Sequence, residues 1–200
     1  RVLFRSKMKK FSKAAVLFAV VCLSLSACGN SNKNNATDTN QSQVEEDNAS
    51  GETGTVKEGE AAPDITFTLM DGTEKKLSDY QGKPVVMNFW ATWCKPCVGE
   101  MPAFEKLKEN YGEDITVLAL DCGGDTKEAI EDFVSENGYT FEFAEISDDE
   151  ASKYDVQGIP LTIIIDADGI VKYMNMGASD ADSMYTDQYE PAVKELLGIN

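Results

Sequence analysis

Read by its apolar and polar positions, the chain divides near residue 57 into an unpatterned front and a patterned remainder. In the patterned part, Asp64 to Leu69 and Thr73 to Leu77 flank Asp71-Gly72, a dipeptide that favours the tight turn of a hairpin. Val85 to Trp90 is a nearly continuous apolar run, as in a strand covered on both faces. Met101, Phe104, Leu107 and Tyr111 recur at helical spacing, predicting a helix that Pro102 kinks and Gly112 closes. Ile115 to Leu120 predicts another buried strand. A helix follows, with Asp125 and Glu128 at capping-box spacing and Ile130, Phe133 and Val134 on one face up to Gly138. Phe141 to Ile146 reads as a strand and Asp149 to Tyr154 as a short helix. Leu161 to Ile165 and Ile170 to Met174 form a second hairpin around Asp168-Gly169, and a last helix puts Tyr189, Val193, Leu196 and Leu197 on one side. Strand, helix, strand implies parallel crossovers. The whole order predicts an α/β domain with a mixed central sheet flanked by helices and an N-terminal β-hairpin.

The front of the chain reads differently. Lys7, Lys9, Lys10 and Lys13 precede the apolar run Ala14 to Leu25, long enough for a signal peptide and short for a bilayer span. Leu25-Ser26-Ala27-Cys28 follows and resembles the bacterial lipobox, in which the cysteine is acylated and becomes the mature N-terminus. Met8 is the expected start, with residues 1–7 upstream of it. From Gly29 to about Val56 the chain is rich in Asn, Ser, Thr, Gln, Asp and Glu and cannot bury enough apolar surface to offset the entropy of ordering. The expected organisation is a lipoprotein signal peptide at 1–27, a flexible polar tether at 28–56 and one domain at 57–200. Localisation on the outer face of a bacterial cytoplasmic membrane, through the lipid anchor at Cys28, follows from it.

Composition narrows the chemistry. Two hundred residues, 42% hydrophobic and 26% charged, suit one globular core with tails. The absence of histidine excludes Ser-His-Asp and Cys-His machinery and histidine-ligated metal sites. A net charge of −17, with six basic residues and no acid ahead of Cys28, leaves the domain strongly acidic. Such a surface repels phosphate backbones, so no nucleic-acid partner is expected.

Five cysteines sort by position. Cys22 lies in the segment to be removed, Cys28 is the lipidation site, Cys94 and Cys97 form a C-x-x-C, and Cys122 is left over after a strand. Cys94-Lys95-Pro96-Cys97 stands where the apolar strand meets the helix, so Cys94 sits at a helix N-terminus, whose free N–H groups and dipole favour a thiolate. Lowering a thiol from about 8.5 to about 7 corresponds to about 2 kcal/mol of thiolate stabilisation. A zinc site would need two further ligands, and neither a second C-x-x-C nor a histidine exists to complete one. No metal is expected, and the hairpin turn accounts for Asp166 and Asp168. Cys122 reads as a small buried residue, yet a strand C-terminus in an open α/β sheet faces the functional crevice.

Asn88-Phe89-Trp90-Ala91-Thr92-Trp93-Cys94-Lys95-Pro96-Cys97, with Glu100-Met101-Pro102 after it and Gly158-Ile159-Pro160 further on, resembles the thioredoxin superfamily. More narrowly, the chain is similar to the membrane-anchored TlpA/ResA-like thiol-disulfide oxidoreductases. Gly59 to Asp64, Leu77 to Pro84 and Ile164 to Gly169 extend the likeness over about 57–200. The resemblance implies that Cys94 attacks a substrate disulfide and Cys97 resolves the mixed disulfide. It also implies that Pro160 is a cis proline facing the pair and that Ile159 offers its backbone to substrate. Lys95 and Pro96 shape the motif between the thiols, and Asn88 takes the place of the buried aspartate of cytoplasmic thioredoxins. Two readings of Glu100 stand side by side: a solvated helix carboxylate, and an acid that moves protons at the thiols. Packing is the ordinary use of Trp90 and Trp93, and Trp93, abutting Cys94, is the better candidate for touching substrate. The implied partners are an exported disulfide-containing protein, with apocytochrome c or a methionine sulfoxide reductase as examples, and a CcdA/DsbD-like membrane electron donor. No cofactor is expected beyond the Cys94–Cys97 redox-active disulfide. The alternatives are a Sco-like copper chaperone, which would want C-x-x-x-C and a distal histidine, and a peroxiredoxin-like peroxidase, which would want a different Thr–Cys spacing.

Overall fold

A computed structural model describes residues 56–199. The expected signal peptide, Cys28 and nearly all of the tether lie outside the described residues. The elements run β1 (Thr66–Leu69), β2 (Glu74–Lys76), β3 (Val85–Trp90), α1 (Lys95–Tyr111), β4 (Thr116–Asp121), α2 (Lys127–Asn137), β5 (Glu142–Glu145) and α3 (Asp148–Ser152). After them come β6 (Leu161–Ile165), β7 (Val171–Met176), α4 (Ala181–Ser183), a π-helical stretch at Met184–Tyr189 and α5 (Glu190–Leu197). The seven strands form one sheet in the order β2-β1-β5-β4-β3-β6-β7. β3, β4 and β5 are parallel neighbours, joined by crossovers through α1 and α2, while the remaining pairings are antiparallel. This is the expected mixed sheet with its N-terminal hairpin.

Both faces of the sheet are covered, which explains the unbroken apolar runs of its central strands. In β3, Val86 and Trp90 pack on the side of α1, where Met101, Phe104 and Leu107 meet them, whereas Val85, Met87 and Phe89 pack on the opposite side with Ile163 and Tyr154. This two-residue alternation points Asn88 towards α1. Val56, at the end of the expected tether, is also buried in the second core.

Several boundaries differ from expectation for definite reasons. The N-cap of α2 is Thr126, whose hydroxyl accepts from the N–H of Ala129, while Asp125 is engaged elsewhere. Helix α1 continues through Pro102, because the apolar face formed by Met101, Phe104 and Leu107 holds it against the sheet across the single lost hydrogen bond. Gly112 ends that helix in a right-handed conformation; a Cβ there would stand 2.3 Å from the carbonyl oxygen of Lys108. Gly138 closes α2 at φ 72°, the left-handed cap its position suggested.

Candidate active site

The redox pair sits at the start of α1. Cys94 is the N-cap, Lys95 and Pro96 fill the first two helical positions in the open, and Cys97 lies one turn inside. A proline is tolerated here because the first helical N–H groups have no intrahelical acceptor. Cys94 and Cys97 are joined as a disulfide. Cys94 is 5% exposed and Cys97 fully covered, so the attackable sulfur shows only a narrow face in the oxidised form. The Cys97 backbone N–H donates to Cys94 Sγ at 3.3 Å. That donor, together with the helix N-terminus, favours negative charge on Cys94 once the bond is opened.

The loop leading into Cys94 is fixed by the turn after β4. Asp125 accepts from both the backbone N–H and the hydroxyl of Thr92, each at 2.7 Å. Trp93 donates its indole N–H to the Gly123 carbonyl at 3.4 Å while leaving 64% of its surface in solvent. Gly123 has no room for a side chain, since a Cβ would come within 2.2 Å of the Ala91 methyl and 3.0 Å of the Trp93 indole nitrogen. Asp121, buried at the end of β4, accepts from the Asp125 N–H at 3.2 Å. Burial first, and then Asp125 beside it, push the Asp121 carboxyl above its ordinary range. Burial also acts on Asp125, but the Thr92 donors outweigh it and hold that carboxyl low.

Just before β6, the Ile159–Pro160 bond is cis and Pro160 is buried. Ile159 and Trp93 line one groove of about 360 Å³ together with Cys122, Gly123 and Val156. The structure thus brings Trp93, the residue before Cys94, and Ile159 to one groove. Cys122 is partly exposed there, and its thiol is pushed up to about 11 by burial and then by Asp121, which keeps it protonated and a poor nucleophile at neutral pH.

Glu100 is not a solvated carboxylate. It is fully buried on the inner face of α1, one turn beyond Cys97, and accepts from the Asn88 side-chain amide at 3.0 Å and from the Tyr189 hydroxyl at 2.7 Å. Burial raises its carboxyl to about 7, against the opposing pull of those two hydrogen bonds. Asn88 reaches it because β3 points that side chain towards α1. Thr162, the direct partner of Asn88 across the β3–β6 ladder, takes the other amide hydrogen at 2.9 Å. Sequence reasoning placed Tyr189 on an apolar helix face and passed over Thr162. The available signal was polarity: Asn88 and Thr162 are the lone polar residues of β3 and β6.

A disulfide at a helix N-terminus, a cis proline just before β6 and a covered acid one turn in define a thioredoxin-fold thiol-disulfide oxidoreductase. Residues 59–174 match the AhpC/TSA family, and the chain belongs to that family. It is 34% identical over 131 residues to the thioredoxin-like protein YneN of Bacillus subtilis, covering 64% of this chain and 77% of that protein. It is 40% identical over 121 residues to the thiol-disulfide oxidoreductase ResA of Geobacillus kaustophilus, covering 60% of this chain and 69% of the relative. Among solved structures, a thiol:disulfide interchange protein assigned as DsbE from Chlorobium tepidum superposes with a TM-score of 0.62 at 28% identity, covering 70% of this chain and 99% of the other.

Proposed function

We propose that this oxidoreductase is a lipoprotein held by Cys28 on the outer face of a bacterial cytoplasmic membrane, where it reduces disulfides of exported proteins. Cys94 thiolate attacks a substrate sulfur, forming a mixed disulfide and releasing the substrate's first thiolate, which takes up a proton. Cys97, deprotonated with Glu100 as the acceptor, then attacks Cys94 Sγ. This closes the Cys94–Cys97 disulfide and frees the second substrate thiolate, so two electrons leave the protein and two substrate thiols form. A membrane electron donor of the CcdA/DsbD-like kind restores the dithiol. Trp93, Ile159 and Pro160 form the surface against which the substrate chain lies.

The observation that carries the assignment of nucleophile and resolver is the asymmetry of the pair: Cys94 at the helix N-cap with the Cys97 N–H aimed at its sulfur, Cys97 completely covered. Cys97→Ser is expected to strand exported proteins on Cys94, and Cys94→Ser to trap little. Equal capture by both variants removes the assignment. For the direction of electron flow, the potential of the couple is expected nearer the reducing value of about −270 mV than the oxidising one of about −120 mV, and a measured value at the oxidising end reverses the proposal.

A further inference from the structure

Four side chains from four elements close a ring inside the domain. Asn88 on β3 spends its two amide hydrogens on Glu100 Oε1 at 3.0 Å and Thr162 Oγ1 at 2.9 Å. Tyr189, at the end of the π-helical stretch, stands 2.7 Å from Glu100 Oε2 and 3.1 Å from Thr162 Oγ1. All four are buried. The hydrogens can run round this ring in a fixed sense. A carboxylate has no hydrogen to give, so Tyr189 donates to Glu100, and Thr162, already accepting from Asn88, donates to Tyr189. All four ring hydrogens are then used, and both arms of the ring run towards Glu100.

A protonated Glu100 breaks that order. If its new hydrogen lies on Oε2, Tyr189 must turn its own hydroxyl hydrogen towards Thr162. The Thr162 hydrogen then loses its acceptor, because the Asn88 nitrogen facing it is a donor. Relief requires the Asn88 amide to flip, so that its oxygen accepts from Thr162 and from a proton moved to Oε1. The ionised form forbids that orientation, since the oxygen would face a carboxylate, so protonation has to reorganise the ring. The ring therefore favours the charge that burial opposes. The groups around it are few. Tyr173 of β7 meets Tyr189 edge-on, with rings 6.1 Å apart at 88°. Phe104 of α1 stacks on its other side at 5.2 Å. Cys97 lies a turn back on α1, and Glu58, hydrogen-bonded to the Met174 N–H, is the charged group acting on Tyr173 besides Glu100 itself. Among the described residues, Glu100 has no ion pair.

We propose that Tyr189 and Thr162 are positioning residues of the redox site, closing with Asn88 a directional ring of hydrogen bonds that keeps the buried Glu100 carboxylate ionisable. The inference rests on the proton-transfer reading of Glu100, because only then does the ring matter for exchange. It is tested by following the Glu100 carboxyl carbon through a pH titration of the oxidised protein by NMR, with Glu100→Gln identifying the signal. Tyr189→Phe keeps the ring stack and removes the hydroxyl; its Glu100 midpoint is expected about one pH unit above the parent, a tenfold change in proton affinity. Thr162→Val is expected to move it the same way, and Thr162→Ser, which retains the hydroxyl, to restore the parent midpoint. A Tyr189→Phe midpoint equal to or below that of the parent overturns the ring, as does a Thr162→Ser midpoint as displaced as that of Thr162→Val. The pH–rate profile of thiol exchange, read in parallel, separates the two ideas. If the midpoint moves while the profile stays, the ring stands as a device for Glu100 and the proton-transfer role falls; if Glu100→Gln alters the profile while Tyr189→Phe moves neither readout, the role stands and the ring falls.

Discussion

At the scale of the single residue, Glu100 joins structure to titration. Its carboxyl ordinarily titrates near 4.5 and is raised to about 7, chiefly by burial. Below the ordinary value both the folded and the unfolded chain hold the proton, and the group adds nothing to the pH dependence. Between about 4.5 and about 7 the folded protein binds more protons than the unfolded one, so stability falls as pH rises across that window. Above it, the buried charge costs on the order of 3 kcal/mol. Glu100→Gln removes this titration. Urea unfolding of the oxidised proteins is therefore expected to show the variant gaining on the parent by about that amount as pH is taken from about 4 to about 8. Stabilities that run parallel over the range would mean that the folded protein does not resist ionising this group. In the sequence, Glu100 could be placed three residues past Cys97 but not inside the protein. Burial of a helix carboxylate depends on which way the face turns and on what stands opposite, and the opposing groups come from residues 12, 62 and 89 positions away in Asn88, Thr162 and Tyr189.

At the scale of the element, the N-terminus of α1 is set by what grips the loop before it. Asp125 looked like a helix cap because it stands three residues before Glu128; in the fold Thr126 caps α2, and Asp125 is turned back onto Thr92. Local spacing could not distinguish these uses, since the competing acceptor site belongs to a segment 33 residues earlier. Strands and helices with strong periodicity were legible throughout, including β3 to the residue, because their patterns are fixed by burial on one or two faces. The π-helical stretch before α5 carries no such periodicity and was invisible, although it is what delivers Tyr189 to the ring. Asp125→Ala is expected to destabilise the domain by about 2 kcal/mol, for the loss of hydrogen bonds to a charged acceptor, and to slow exchange severalfold by loosening the Thr92–Cys94 loop. Thr92→Val combined with it should add little, because the hydroxyl then has no partner left to lose. Fully additive losses in the double variant would place the two side chains in separate roles.

At the scale of the whole molecule, charge and anchoring bear on each other. The chain carries −17, and residues 1–27 hold six basic residues and no acid, so the proposed mature protein is acidic. An acidic domain is repelled by anionic headgroups, and its surface supplies no electrostatic hold on a bilayer. No helix of the described residues is long and apolar enough to cross a membrane. In the proposed arrangement, retention rests on acyl chains at Cys28, where each buried methylene contributes about 0.8 kcal/mol and two chains anchor stably where one is marginal. Two consequences separate this anchor from surface adsorption. The parent should stay with membranes when salt is raised, because screening weakens attraction between charges and leaves acyl burial intact. Cys28→Ala should appear in the soluble fraction of the cell envelope with its Cys94–Cys97 chemistry unchanged, since the substitution lies far along the chain from the redox pair. A Cys28→Ala protein that remains with the membrane, or a parent that salt washes off, would remove the lipid anchor from the proposal and leave the oxidoreductase without a defined address.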